Sequence, residues 1–228
     1  MQANLKQSII SFLLSNAQPG KILDIPCGNG WLYNELKDDA WHYYAADMDP
    51  ATPCFSRNFK SVDLNKSLPY DDNSFDYIAC LEGLEHIENE HHVLREFHRI
   101  LRKKGVLLVS TPNPLNIKSR MRFFTMGTYR GFPHFVKMPS EGEHVHMSPI
   151  NLSFLISFAK KYGLSLNKVH SIKIKPSMYR YVLLCCVKKI ITYLKSISKD
   201  KETQVFINRL DSFNILLNDN IFVSFQKE

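Results

Sequence analysis

The stretch Ile22–Gly30, reading ILDIPCGNG, limits the possible folds of this chain more than any other. Ile22, Leu23 and Ile25 form a short apolar run of the kind that fills a buried parallel strand. The run stops at the turn Pro26-Cys27-Gly28-Asn29-Gly30. A helical pattern of Trp31, Leu32 and Leu36 follows at once, reaching roughly Lys37. Strand, Gly-rich turn and helix together make a nucleotide-binding geometry. Glycine lets the backbone come close to a ligand, and the helix N-terminus offers unpaired N–H groups. Asp24 falls near the C-terminal end of the strand, the edge at which open α/β sheets bind ligands.

A second carboxylate follows at an informative distance. Tyr43 to Ala46 reads as the second strand and Asp47 ends it, 19 positions after Gly28. A carboxylate about 20 residues beyond such a turn is placed to accept hydrogen bonds from ribose hydroxyls. The turn lacks the GxGxxG form that seats a pyrophosphate, so a dinucleotide fits less well.

These residues resemble the class I S-adenosylmethionine (SAM) methyltransferase family, whose first motif is close to LD-x-GCG-x-G. Pro26 stands where that motif usually has its first glycine, which removes one N–H and some flexibility. The resemblance covers roughly residues 20–165. It implies a Rossmann-like α/β fold: a mostly parallel seven-stranded sheet with helices on both faces and an antiparallel last strand. It also implies SAM as cofactor, with the methionine end over Gly28–Gly30, the ribose on Asp47 and the adenine near Asp63 and Leu64. The candidate cofactor residues are Asp24, Pro26, Cys27, Gly28, Asn29, Gly30, Asp47, Met48, Asp63, Leu64 and Leu81.

The 228 residues fit one domain with a substantial core, and no apolar run reaches the ~18 residues of a membrane span. Five cysteines, Cys27, Cys54, Cys80, Cys185 and Cys186, show no metal-ligand spacing. With no signal-peptide pattern at the start, they point to a reducing cytoplasm. A net charge of +7 favours an anionic partner, although simple solubility also accounts for it.

In chain order, residues 2–16 read as an amphipathic helix with Leu5, Ile9, Phe12 and Leu13 on one face. Phe59 to Val62 is a third strand, followed by Asp63-Leu64. The loop Ser67–Asp76 leads into a fourth strand, Tyr77–Leu81. A helix is expected over roughly 88–103, finished by Lys103, Lys104 and Gly105, before a fifth strand, Val106–Val109. Residues 111–147 carry little periodicity but many aromatic and basic groups, and read as a substrate lid. Ser148-Pro149 is expected to cap the next helix, with Gly163 as its stop. Ser165–Ile174 and residues 220–226 are the last two strands. A helical insertion, 176–219, lies between them, and its first pattern, Tyr179–Tyr193, mixes apolar and basic residues. It could lie on a membrane surface, pack on the core or form a homodimer.

The chemistry centres on Glu82-Gly83-Leu84-Glu85-His86. Glu82, Glu85 and His86 stand at i, i+3 and i+4, so on a helical turn they share one face. Two carboxylates and an imidazole make a hard, mixed site suited to Mg, Mn, Fe or Zn. The alternative is metal-free, with His86 as general base. The pattern E-x-x-E-H, then STPN, then a late histidine resembles the ubiquinone-pathway O-methyltransferases. It also resembles the small-RNA 2′-O-methyltransferases, where such groups hold a divalent cation. That resemblance puts Glu82, Glu85, His86 and His144 at the metal, with His146 the weaker fourth ligand.

A hydroxyl acceptor must lose a proton, whereas a carbon or thiol nucleophile needs less help. The Glu/Glu/His cluster therefore favours oxygen. The expected activity is SAM-dependent O-methylation of a small-molecule or saccharide hydroxyl, with an anionic or membrane-near acceptor in a cytoplasmic enzyme. The lid aromatics interleaved with arginine and the positive charge suit an RNA 2′-O-methyltransferase as the second reading. A non-catalytic SAM-fold subunit is the third.

Overall fold

The computed structural model describes residues 1–15, 17–37, 40–49, 58–132, 146, 148–197 and 199–228. In chain order the elements are α1 (Ala3–Ser15), β1 (Lys21–Asp24), α2 (Trp31–Leu36), β2 (His42–Asp47), β3 (Phe59–Ser61) and β4 (Phe75–Leu81). Then come α3 (Glu90–Ile100), β5 (Leu101–Pro112), α4 (Ile117–Met126), α5 (Leu152–Lys161) and β6 (Leu164–Val169). The chain continues with α6 (Val182–Ser196), α7 (Lys201–Leu210), α8 (Phe213–Leu217) and β7 (Asn220–Lys227). Short 3-10 turns cover Leu84–His86 and Pro176–Tyr181.

The seven strands form one sheet in the order β3-β2-β1-β4-β5-β7-β6. The first five run parallel, and β7 enters antiparallel between β5 and β6. Strand order reverses between β1 and β4, which opens a crevice at their C-terminal ends. This is the Rossmann-like arrangement that the strand–turn–helix stretch implied.

Period-2 alternation explains why the central strands read as unbroken apolar runs. Ile22, Ala79, Leu108 and Phe222 pack beneath α1 and α2, against Leu5, Ile9, Leu13 and Leu32. Their neighbours Leu23, Ile78, Leu107 and Val223 face the other way, onto Val93, Phe97, Leu152 and Leu155 of α3 and α5. Both faces are covered, so the middle of these strands is mostly apolar on both sides. Phe12, expected on the inner face of the first helix, is only half-buried and meets the ring of His170 edge-on.

Several expected boundaries move, each for a local reason. The helix expected over 88–103 is shorter, because Asn89 caps it by accepting from the His92 N–H and because Leu101 pairs with Phe75 in the sheet. Lys103-Lys104-Gly105 is therefore no helix finish. It forms an irregularity in β5, with Lys104 left-handed at φ 64°. Asn151, not Ser148-Pro149, caps α5. β6 ends at Val169 instead of Ile174, where side chains replace the ladder: Ile172 N–H donates to Asn214 and Ile172 C=O accepts from Asn218. The stretch 111–147 contains a ten-residue helix, α4, capped by Asn116 and closed by left-handed Gly127. The rest of the expected lid, residues 133–145 and 147, lies outside the described residues. No helix among the described residues is long and apolar enough to cross a membrane.

Candidate active site

The crevice holds a small, partly open cavity of about 100 Å³. Its walls are Ile25 and Pro26 after β1, Asp47 and Met48 after β2, Val62 to Asn65 after β3, and Gly83, His86 and Ile87 after β4. Of the expected site residues, Pro26, Asp47, Met48, Asp63, Leu64 and His86 line it directly. Asp47, Asp63, Asn65 and His86 together with the apolar Ile25, Val62, Leu64 and Ile87 make a mixed lining of the kind a nucleoside needs, with carboxylates for hydroxyls and apolar walls for the base.

Asp47 fastens the pocket floor. Its Oδ2 accepts from the Gly28 N–H at 2.8 Å and its Oδ1 from the Asp49 N–H at 3.3 Å, which ties the end of β2 to the turn after β1. Each carboxylate oxygen has a second lone pair, so the group can still accept from a ligand. Gly28 (φ 51°) and Gly30 (φ 69°) are left-handed, a conformation glycine adopts without strain. Gly28 and Asn29 are exposed beside the pocket, whereas Cys27, Gly30 and Leu81 are buried behind it. Asp63 accepts from the Asn65 N–H at 2.9 Å, and that bond holds its carboxyl below the usual range, so it stays charged.

Asp24 does not reach the pocket. It is 1% exposed and takes a short hydrogen bond from the Tyr43 hydroxyl. Burial, with a smaller contribution from the charge of Asp47, pushes its carboxyl up to about 7. In this position it supports the turn from beneath.

Pro26 in place of a motif glycine has a counterpart. A side-chain carbon on Gly83 would lie 2.4 Å from the Pro26 ring, so the glycine just after β4 makes room for the proline just after β1.

The Glu82/Glu85/His86 constellation is only partly as expected. Glu82 is left-handed at φ 57° and precedes the 3-10 turn, so it does not share a helical face with Glu85 and His86. Its carboxylate accepts from Asn220 at 2.9 Å and, more loosely, from Ser110. Glu85 is fully buried, with Oε2 accepting from Thr111 at 3.1 Å and Oε1 without a partner among the described residues. Burial and the nearby Glu82 push its carboxyl up to about 8. The late histidine that the structure brings in is His146, whose ring meets that of His86 edge-on at 4.7 Å. Ligand atoms of Glu85, His86 and His146 lie within 4.8 Å of one another. His146 Nδ1 also lies 2.7 Å from the Gly131 carbonyl. His144, the expected ligand, lies outside the described residues.

Sequence reading missed Asn220, Thr111 and Asn65. Asn220 reaches Glu82 across 138 positions, so no local pattern could find it. Asn65 follows Asp63 in an Asx turn, a detectable signal.

Residues 1–169 match the family model described as a methyltransferase domain. An uncharacterised protein of Methanocaldococcus jannaschii is 35% identical over 107 residues, 46% of this chain and 47% of that protein. The ubiquinone biosynthesis O-methyltransferase of Pseudomonas aeruginosa is 23% identical over 173 residues, 72% of each chain. A SAM-dependent methyltransferase from Archaeoglobus fulgidus has the same fold, with a TM-score of 0.62 at 16% identity over 99% of this chain and 95% of that one. With the methyltransferase family model spanning residues 1–169, the chain belongs to the class I S-adenosylmethionine-dependent methyltransferase family.

Proposed function

We propose that this chain transfers the SAM methyl group to a hydroxyl of a small-molecule or saccharide acceptor, with His86 as general base. The observation that carries this is the presence of His86 in the same pocket as Asp47 and Asp63, the carboxylates proposed to hold the nucleoside. The printed name of the P. aeruginosa relative, an O-methyltransferase, supports oxygen as acceptor.

Methyl transfer from a sulfonium needs an in-line nucleophile held about 3–3.5 Å away, so positioning supplies much of the rate. A neutral hydroxyl is a weak nucleophile, and an imidazole suits removal of its proton near neutral pH. His86 takes that proton while the oxygen attacks. The methyl leaves the sulfur, whose positive charge is lost as the C–S bond breaks. Glu85 and Thr111 lie behind His86, and His146 packs against its ring.

The closeness of Glu85, His86 and His146 favours a second reading, in which the three hold a divalent cation. One carboxylate and two imidazoles suit Zn or Fe, and Glu85 Oε1 is a buried oxygen still lacking a partner. Such a cation would lower the pKa of the acceptor hydroxyl.

The test uses methyl-labelled SAM with a panel of small phenols, hydroxy acids and sugars. His86→Ala should lower transfer by roughly 10²–10⁴ while SAM affinity, measured by calorimetry, is kept. Near-normal turnover in that variant would sink the base. Under the second reading, excess chelator abolishes transfer and elemental analysis finds a metal. Full activity in chelator with no metal present excludes it.

A further inference from the structure

Helix α6 is amphipathic in the wrong direction for a helix that packs on its own protein. Leu183, Leu184, Val187, Ile190, Ile191 and Leu194 recur at the spacing of a single helical face, covering about 120° of its surface. All six are exposed, between 47% and 76%. The residues that α6 buries, Cys185 and Ser196, lie nearly opposite that stripe. The apolar stripe therefore faces away from the body of the molecule.

The stripe has a neighbour. Ile117, which opens α4, and Cys185 of α6 belong to the same small third core. Past that contact α4 exposes Met121, Phe123, Phe124 and Met126, with Phe124 91% exposed. An apolar surface spread over two helices marks an interaction site.

The sequence around it is mostly basic. No Asp or Glu occurs between Glu96 and Glu141, nor between Glu143 and Asp200. Asp211 pairs with Lys188, Asp219 with both Arg130 and Lys175, and Asp200 caps α7 by accepting from the Thr203 N–H. Lys118 and Arg180 lie over the Tyr181 ring and Lys189 over Phe213, contacts that leave their charge uncompensated.

We propose that α6, with the exposed end of α4, docks this chain on an anionic lipid surface. An exposed apolar face bordered by basic residues is the pattern of a helix lying in the headgroup layer. Tyr179 and Tyr193, 58% and 61% exposed, carry the amphipathic rings that settle at that level. A second copy fits less well, because a twofold contact through this face would bring one positive surface against another. Single-stranded nucleic acid fits less well too, since bases stack on aromatic rings and the central α6 stripe is aliphatic, with its rings only at the margins.

Flotation of the full chain with phosphatidylglycerol-rich vesicles, against pure phosphatidylcholine, tests the proposal. Binding to the anionic vesicles should exceed binding to neutral ones by about tenfold or more at low salt and fall as salt is added. Ile190→Glu with Leu194→Glu should remove binding with no change in melting temperature or SAM affinity, because both side chains already face water. The charge variant Arg180→Glu with Lys195→Glu should also weaken it. Absence of flotation, or flotation unaffected by the apolar pair of substitutions, overturns the proposal. So does a dimer in sedimentation that the same pair dissociates, since a second copy would then cover the stripe.

Discussion

Two regions of this molecule use similar residues in opposite ways. Around the turn after β1, Ile22, Leu23, Ile25 and Leu32 are fully buried, and the polar groups among them are tied down by Asp47 and Tyr43. Along α6, leucines and isoleucines at regular helical spacing are exposed. The comparison teaches that an apolar stripe fixes the kind of element but not which neighbour covers it. In the first region the strands on either side of β1 decide that question. In the second, the small core of Ile117, Met178, Leu216 and Leu217 meets the opposite side of the helix.

Truncation at matched leucines should separate the regions most strongly. Leu23→Ala, which empties space in the main core, should cost about 2–5 kcal/mol in denaturant unfolding. Leu183→Ala, at 76% exposure, should stay within about 0.5 kcal/mol. A large loss at Leu183 would mean that α6 is covered in solution and would break the comparison.

A pH series sharpens it next. The folded-state pKa of Asp24 is raised to about 7 by burial, above its unfolded value. Its favourable contribution is therefore complete below the unfolded value near 4 and lost as pH rises through about 7. Asp24→Asn stays neutral and can still accept from Tyr43. Its stability relative to the parent should rise by up to about 4 kcal/mol between pH 4 and pH 8. A difference that is flat with pH would show that Asp24 titrates like a surface carboxylate.

The proline–glycine pairing offers a smaller effect. Gly83→Ala puts a methyl group against the Pro26 ring and should cost about 1–3 kcal/mol. Adding Pro26→Gly should recover part of that loss, because the colliding ring is gone. An additive double variant would show that the two positions do not touch in solution.

Much of the architecture could be read locally. The apolar run, the glycine turn and the 19-residue offset to Asp47 place the first two strands and the pocket floor, because each signal is complete within a few residues. The helix after β4 was overextended because Lys103-Lys104-Gly105 looks like a helix end, while the pairing of Leu101 with Phe75 is invisible locally. Helix α4 carried its own signals, an Asn cap and a closing glycine, yet its scattered aromatics hid the period. In the catalytic cluster, residue types were legible but not their directions. The backbone of Glu82 turns left-handed and its side chain goes to Asn220, a partner that only the antiparallel entry of β7 supplies. Asp24 ends a strand at the binding edge, a local signal, but its bond from Tyr43 on the neighbouring strand is not visible locally.

The smallest expected effect concerns Asp47, where support of the fold and the proposed contact with SAM meet in one side chain. Its carboxylate already holds the Gly28 and Asp49 amides, and it also lines the pocket. Replacement by Ala removes both roles, so it should weaken SAM binding by at least about 1.5 kcal/mol, the scale of a charge-assisted hydrogen bond. Asp47→Asn separates the two roles. The amide oxygen can still accept from Gly28, so the turn is held, but the charge available to the ribose hydroxyls is lost. Calorimetry should then give an intermediate affinity at an unchanged melting temperature. If Asn restores full affinity, the carboxylate only shapes the turn and the ribose is held elsewhere. If both variants bind SAM like the parent, the nucleoside does not lie over Asp47 at all. The pocket bounded by Asp63 and Leu64 would then have to be read in the reverse sense.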